Sequence, residues 1–285
     1  MYNLKKSLEE SKSILLKTDA ILIITGAGMS VDSGIPTYRG NNGLWEKEIK
    51  INNKMYSYDE ISSLKMWNDF PELAWGFKAN FINLINNKKP HDGYKNLLNN
   101  LKKKFNNNYF ICTSNIDGYF LKSGFDKNKI YELHGSVKYL QCFDKKCNIR
   151  NGISILEKIP DYNKKTLIAK ELLNCKYCNN LARPNVSMFG DFDFYGIPYE
   201  HQKRRLGKWL NENKNKKLTI IEIGCGINPH SIRMNNGKMM SGEWKIPKIS
   251  NILATIRINP NDIEEHKDTV HIALGAKIGI QRLFS

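Results

Sequence analysis

The sequence of 285 residues has no run of about 18 consecutive apolar residues, which is what a bilayer-crossing helix requires. Its beginning, Met1 to Ser13, is polar and lysine-bearing and lacks the apolar centre of a secretory signal. A cytosolic protein is therefore expected. Thiols stay reduced in that compartment, so the six cysteines are read as metal ligands or packed thiols before disulfides. Acidic residues are also scarce, 28 against 44 Lys and Arg, for a formal charge of +16. A basic surplus of this size can attract phosphates through counterion release. Here, however, Lys and Asn recur along the whole chain, as in Lys102-Lys103-Lys104 and Asn213-Lys214-Asn215-Lys216-Lys217. The surplus is read as a compositional habit, which fits an acidic protein partner better than nucleic acid.

What is present is an alternation of two patterns. Short apolar runs occur at Ala20–Thr25, Tyr109–Thr113 and Leu218–Gly224, with a weaker one at Ala254–Asn259. Strands buried on both faces, as in parallel sheets, have this look. Helical spacing is expected over residues 4–18, Pro71–Asn86, Asp92–Lys104 and Tyr199–Asn213. Strands alternating with helices predict an α/β fold on a parallel sheet, with ligands at the carboxyl ends of the strands. Two stretches interrupt the rhythm: Asn41–Met66, rich in Asn, Ser and Tyr, and Gln141–Arg183, which holds four of the six cysteines.

Those four form two close pairs, Cys142-x₄-Cys147 and Cys175-x₂-Cys178. Four thiolates complete a tetrahedral zinc site with no position open to substrate, so a structural ion is expected. The 27 residues between the pairs exceed the usual ribbon gap and are expected to carry structure of their own. Cys112 and Cys225 are left over and are read as small packed hydrophobes.

Gly26-Ala27-Gly28-Met29-Ser30-Val31 follows the first strand, where a phosphate-cradling turn belongs. The ordinary G-x-G-x-x-G fingerprint fails, because Val31 holds the third glycine position, and no Gly-Lys-Ser/Thr of a P-loop follows. Taken alone, a tight turn and a nucleotide site fit this G-x-G equally well. The longer string to Gly40 is more specific. It resembles the signature of the sirtuins, as do Thr113-Ser114-Asn115-Ile116-Asp117-Gly118, Leu133-His134-Gly135 and Arg183-Pro184-Asn185-Val186-Ser187-Met188-Phe189-Gly190-Asp191, in the family's order.

The resemblance implies a single catalytic region over 1–285. A Rossmann-like core would comprise about 1–40, 85–140 and 184–285, with a helical/loop insert at about 41–84 and a zinc module at about 141–183. It implies an NAD-dependent deacylase that yields nicotinamide and O-acyl-ADP-ribose. His134 would be the general base, with Asn115 and Asp117 in the nicotinamide pocket. NAD contacts would come from Gly26, Ala27, Gly28, Ser30, Ile35, Pro36, Tyr38, Arg39, Ser114, Ile116, Gly224, Cys225, Gly226 and Asn259, and Gly275 to Lys277 would lie near the adenine. Alternation along a strand end would aim residues 115 and 117 at one ligand. Val186, Phe189, Gly190 and Asp191 would meet an extended acyl-lysine peptide by strand addition.

The chain departs from the family pattern at Thr37, Tyr38, Ser114, Tyr119-Phe120, Gly224-Cys225-Gly226 and Asp191, none of which removes an acid–base group. Relatives that take succinyl or malonyl groups carry a Tyr-x-x-Arg pair, replaced here by Lys78 and Phe81. Neutral acyl groups are therefore expected. The alternatives are an ADP-ribosyltransferase or NAD hydrolase on the same scaffold and, from another class, a non-enzymatic zinc and nucleic-acid-binding module.

Overall fold

A computed structural model describes residues 2–37, 49–51, 54–226, 234–235, 238–239, 251–261 and 268–285. In chain order, α1 (Leu4–Leu16) leads into β1 (Ala20–Thr25) and a 3₁₀ helix (Ala27–Ser33). A small hairpin, β2 (Ile49–Ile51) and β3 (Lys54–Tyr56), precedes α2 (Tyr58–Ile61), α3 (Leu64–Asp69) and α4 (Pro71–Asn86). Then come α5 (Asp92–Lys104), β4 (Tyr109–Thr113), α6 (Tyr119–Lys122), β5 (Ile130–Glu132) and β6 (Gly135–Cys142). The cysteine stretch holds α7 (Lys145–Asn151) and β7 (Ser154–Ile155), and β8 (Ala182–Val186) closes it. The chain ends with α8 (Ile197–Glu212), β9 (Leu218–Ile223), β10 (Met234–Asn235), β11 (Lys238–Met239), β12 (Ile252–Ile258), β13 (Thr269–Ile272) and α9 (Ala276–Phe284).

Six strands form the main sheet in the order β13-β12-β9-β1-β4-β5, every neighbouring pair parallel. All of β1, β4 and β9 is buried, because helices cover both faces. On one face α1, α5 and α9 pack Leu8, Leu97, Leu101, Ile280 and Leu283 against Ile21, Ile23, Ile111 and Ile221. On the other, α8 supplies Tyr199, Leu206, Trp209 and Leu210 against Ala20, Leu22 and Ile220. The helices carry the expected end signals. Pro71 opens α4, whereas α5 has Asp92 in its first turn and Lys102, Lys103 and Lys104 in its last, complementing the helix dipole.

The insert at about 41–84 and the cysteine stretch pack together. Trp67 and Trp75 meet edge to face at 5.3 Å and share a core with Leu140, Ala169, Ala182 and the buried Cys142, Cys147 and Cys175. The Trp75 indole N–H donates to the Ala182 carbonyl at 2.9 Å. Gly76 lets the Leu167 carbonyl come so close that a β-carbon there would lie 2.0 Å from it. The interrupting stretch Asn41–Met66, part of the helical/loop insert expected at about 41–84, includes the hairpin, α2 and the start of α3, while residues 41–48 and 52–53 lie outside the described ones. Each of those elements is too short to leave a period in the sequence. Among the described residues no helix is long and apolar enough to cross a membrane.

Candidate functional site

Two glycine turns interlock at the carboxyl edge of the sheet. The N–H of Gly28, just after β1, donates to the carbonyl of Gly224, just after β9, at 3.0 Å. A β-carbon on Gly28 would fall 2.6 Å from the Gly224 Cα, and one on Gly224 (φ +61°) would fall 2.3 Å from the Gly28 carbonyl carbon. These glycines are thus required by backbone meeting backbone, whatever anion approaches. Gly26 joins the same contact, its N–H donating to Ile223 at 3.1 Å. The Cys225 thiol is buried and turned toward the Ile24 carbonyl, while the Cys225 carbonyl accepts from the Asn259 amide at 3.0 Å. Asn259 and the Gly224-Cys225-Gly226 loop are thereby brought together. Ser114 N–H donates to the Thr25 carbonyl at 3.0 Å. Lys277 N–H donates to Asp32, which ties the start of α9 to the 3₁₀ helix.

A pocket lies beside this edge, lined by Ala27, Ser30, Ile35, Pro36, Phe81, Asn115, Ile116 and Asp117. Strand alternation does not bring Asn115 and Asp117 together, because β4 ends at Thr113 and both sit in the turn beyond it. They converge through Ser30. Its hydroxyl donates to Asp117 Oδ2 at 2.7 Å, accepts from the Asn115 amide at 3.2 Å and lies 2.9 Å from the Tyr94 hydroxyl. Asp117 Oδ1 accepts the Tyr119 N–H at 2.9 Å. Burial raises the Asp117 pKa, and the hydrogen bonds from Ser30 and the Tyr119 amide act against it. Behind this group His91 caps α5, its imidazole 2.9 Å from the Met29 carbonyl.

Phe81, which the resemblance assigns to the acyl side, lines this same pocket beside Ser30, Asn115 and Asp117. Sequence reasoning missed Tyr94 and His91. Tyr94 falls in register with Leu97, Leu98 and Leu101 on the apolar face of α5, so in the sequence it looks like ordinary core.

His134 stands between β5 and β6, half-buried, its carbonyl accepting the Ser187 N–H at 3.0 Å. Gly135 pairs with Val186, so the backbone of His134 is registered against β8. Desolvation pushes the imidazole down to about 4, so it is neutral at pH 7 and a weaker base than an exposed imidazole. Glu132, two residues earlier and buried, is pushed up to about 7 by desolvation, partly opposed by Gln202.

Beyond β8, Phe189 forms a parallel bridge with Ser63, so one edge of that segment is already occupied. Phe189 is 41% exposed, and Gly190 has open space at its α-carbon. Val186 and Asp191 turn inward. Val186 is core, and the Asp191 carboxylate is paired with the buried Arg183 at 2.8 Å. These two can meet a ligand through backbone only. Tyr38 and Arg39 lie outside the described residues.

The four cysteines of the insert converge, all sulfurs within 4.8 Å of one another. Cys142 and Cys178 are 3.4 Å apart, and Cys147 and Cys175 3.7 Å. Four sulfurs at about 2.3 Å from one ion would be about 3.8 Å apart, so the set fits tetrahedral zinc. The Asp144 N–H and the Asn151 amide point at Cys142 and Cys147, favouring thiolates. Asp144 also caps α7 through the Lys146 N–H, and this turn brings Cys147 back toward Cys142. The stretch between the pairs has structure of its own: α7, β7 and isolated bridges Tyr162–Ala169 and Asn174–Leu181. Cys112 and Cys225 are buried apart from this cluster.

An open parallel sheet with paired glycine turns at its carboxyl edge, and a four-thiolate module set against it, defines a two-part α/β protein of the dinucleotide-fold class. The Sir2 family model matches residues 26–200, and the chain belongs to that family. It is 28% identical over 226 residues to an NAD-dependent protein deacylase of Candida albicans, covering 66% of this chain and 71% of that one. It is 32% identical over 184 residues to one of Pyrococcus furiosus, covering 65% and 66%. Matches to such relatives thus span about two thirds of their length. A solved Sir2 variant bound to a deacetylated p53 peptide and 3′-O-acetyl ADP-ribose superposes with a TM-score of 0.65 at 20% identity. That match covers 97% of this chain and 96% of the other, and it carries the fold across almost the whole length.

Proposed function

We propose that this protein removes acyl groups from protein lysines in an NAD-dependent reaction that yields nicotinamide and O-acyl-ADP-ribose. The observation that carries the reading is the convergence of Ser30, Asn115 and Asp117 on one pocket, with a neutral His134 following Leu133, whose N–H donates to the Thr113 carbonyl at 2.8 Å. NAD, when bound, supplies the ribose carbon that takes the acyl oxygen as nicotinamide leaves.

The chain's own residues divide the remaining work. Asp117 accepts a hydrogen bond from the carboxamide, and Asn115 orients the ribose side of the pocket. The interlocked turns at Gly28 and Gly224, whose own N–H groups bond within the protein, fix the shape of the backbone beside which the phosphates would lie, and Asn259 steadies the Cys225 side of that loop. His134 takes the proton of a ribose hydroxyl in this reading; burial keeps its imidazole neutral beforehand and at the same time weakens it as a base. The zinc quartet holds the small module together and takes no part in the chemistry.

The peptide would lie along Phe189 and Gly190, gaining affinity from main-chain hydrogen bonds and tolerating varied flanking residues. Acetyl or another neutral acyl group is the preferred cargo. Phe81 gives the pocket wall an apolar ring, and the buried Lys78 is pushed down to about 8 by desolvation and by Arg183. Lys78 still carries its charge at pH 7, but it is turned to the Ser62 hydroxyl and is not among the residues that line the pocket. A cytosolic setting keeps the cysteines reduced for the metal.

The test is mass spectrometry of products from NAD and matched acetyl- and succinyl-lysine peptides. O-acetyl-ADP-ribose should form, with kcat/KM favouring acetyl. Free or protein-bound ADP-ribose in its place would make this an NAD hydrolase or ADP-ribosyltransferase.

A further inference from the structure

Ser30 has one proton to give and two lone pairs to fill, and three groups crowd its oxygen. The Asn115 amide fills one lone pair. Tyr94 is buried, and among the described residues the Ser30 oxygen is the one hydrogen-bond partner its hydroxyl shows, so that hydroxyl fills the second. The Ser30 proton then has a single destination, Asp117 Oδ2. The Tyr119 N–H occupies Oδ1, so both carboxyl oxygens are acceptors. An acid proton on Asp117 would collide with one of these donors. We propose that Tyr94 is a positioning residue of the nicotinamide pocket: by donating to Ser30 it directs the Ser30 proton onto Asp117 and keeps Asp117 a carboxylate that can accept the carboxamide.

The circuit opposes burial, which alone would favour the neutral acid. The other titratable groups near Asp117 are Lys122 on α6, which favours the carboxylate, and Glu132 on β5 and the Tyr119 phenol, whose charged forms would oppose it. None of them donates to the Asp117 oxygens through its side chain. The inference rests on the nicotinamide pocket assigned above.

The test titrates the Asp117 carboxyl carbon by NMR in the full chain, beside nicotinamide release from NAD and acyl-peptide. Tyr94→Phe should raise the midpoint of Asp117 by about one pH unit, because a donor to the charged form is lost. The acid limb of kcat/KM for NAD should move up with it. Tyr119→Phe is the matched control. It also deletes a buried phenol, but that phenol donates to the Ile85 carbonyl at 3.0 Å and never touches Ser30, so the midpoint should stay. Ser30→Ala cuts the circuit one bond later and should shift Asp117 at least as far. An unmoved midpoint in Tyr94→Phe, or an equal shift in Tyr119→Phe, overturns the proposal. A shifted midpoint in a wild type that releases no nicotinamide leaves the circuit standing and overturns the pocket assignment.

Discussion

The sheet and the cysteine module bury their apolar groups by different means. Along β1, β4 and β9 every residue is buried, and the strands are mutually registered over five or six consecutive residues. No single side chain dominates. In the module, three buried cysteines share a small core with two tryptophans, 5.3 Å apart, that α3 and α4 supply. Stability in the sheet is spread over many equivalent contacts, whereas in the module it is concentrated in a few large groups and one cross-link. A domain this small rarely builds an adequate core without such a staple.

The largest perturbation should come from removing that staple. Cys175→Ser is expected to lose the ion, of which elemental analysis should find about one zinc per chain in the wild type. Metal binding free energy is folding free energy in such modules, roughly 10–16 kcal/mol in isolated zinc-finger peptides. Hydrogen exchange should lose protection across α3, α4 and β6–β8 while β1, β4 and β9 keep theirs. Protection that falls equally in the sheet would end the comparison.

His134 sits where the two parts meet, between sheet strand β5 and module strand β6. His134→Ala should lower deacylation on the order of 10²–10⁴-fold. NAD binding and slow nicotinamide exchange should persist, because Ser30, Asn115 and Asp117 belong to other elements. Near-normal turnover by the variant would remove His134 from the base role.

A smaller effect belongs to the sheet end. Glu132 has its folded pKa raised from 4.5 to about 7, so its contribution to stability is fully present below about 4.5 and is lost as pH rises through about 7. Glu132→Gln should flatten that slope and make the protein more stable than wild type at pH 8, by on the order of 2–3 kcal/mol. Denaturant melts at pH 5 and pH 8 measure it, and parallel slopes in the two proteins would contradict it.

The smallest effect tests how evenly the sheet spreads its load. Thr25 donates its hydroxyl to Thr113 at 2.8 Å, and Thr113 still accepts the Asn115 N–H at 3.1 Å when that donor is gone. Thr25→Val should therefore cost only about 0.5–1.5 kcal/mol, read as a small shift in denaturation midpoint. A loss several times larger would mean that this pair anchors more than itself.

Legibility followed the same division. Strand β1 and helices α4 and α5 begin and end where the apolar pattern placed them, because burial on two faces or on one stripe leaves a period in the sequence. Strands β5 and β13, three and four residues long, leave none and were not foreseen. Within the site, the pocket wall was legible from the glycine string, the Asn-x-Asp motif and Phe81, and the layer behind the wall was not. Tyr94 carries no mark in the sequence, since a core tyrosine and a hydrogen-bonding one differ only in what stands opposite the hydroxyl. Asp191 was legible as part of a motif, but its inward pairing depends on Arg183 eight residues earlier in the chain, on the far side of a turn.

The contact between Gly28 and Gly224 also bears on how a ligand is received. A loop that closes only when its ligand arrives loses conformational freedom at that moment, and affinity falls by the same amount. Here each turn is the other's wall, so both lose that freedom when β1 and β9 pair. The cradle is rigid before any ligand reaches it. Looseness in binding must then come from the parts of the cleft that other segments supply, and the entropy of association should report on those segments alone.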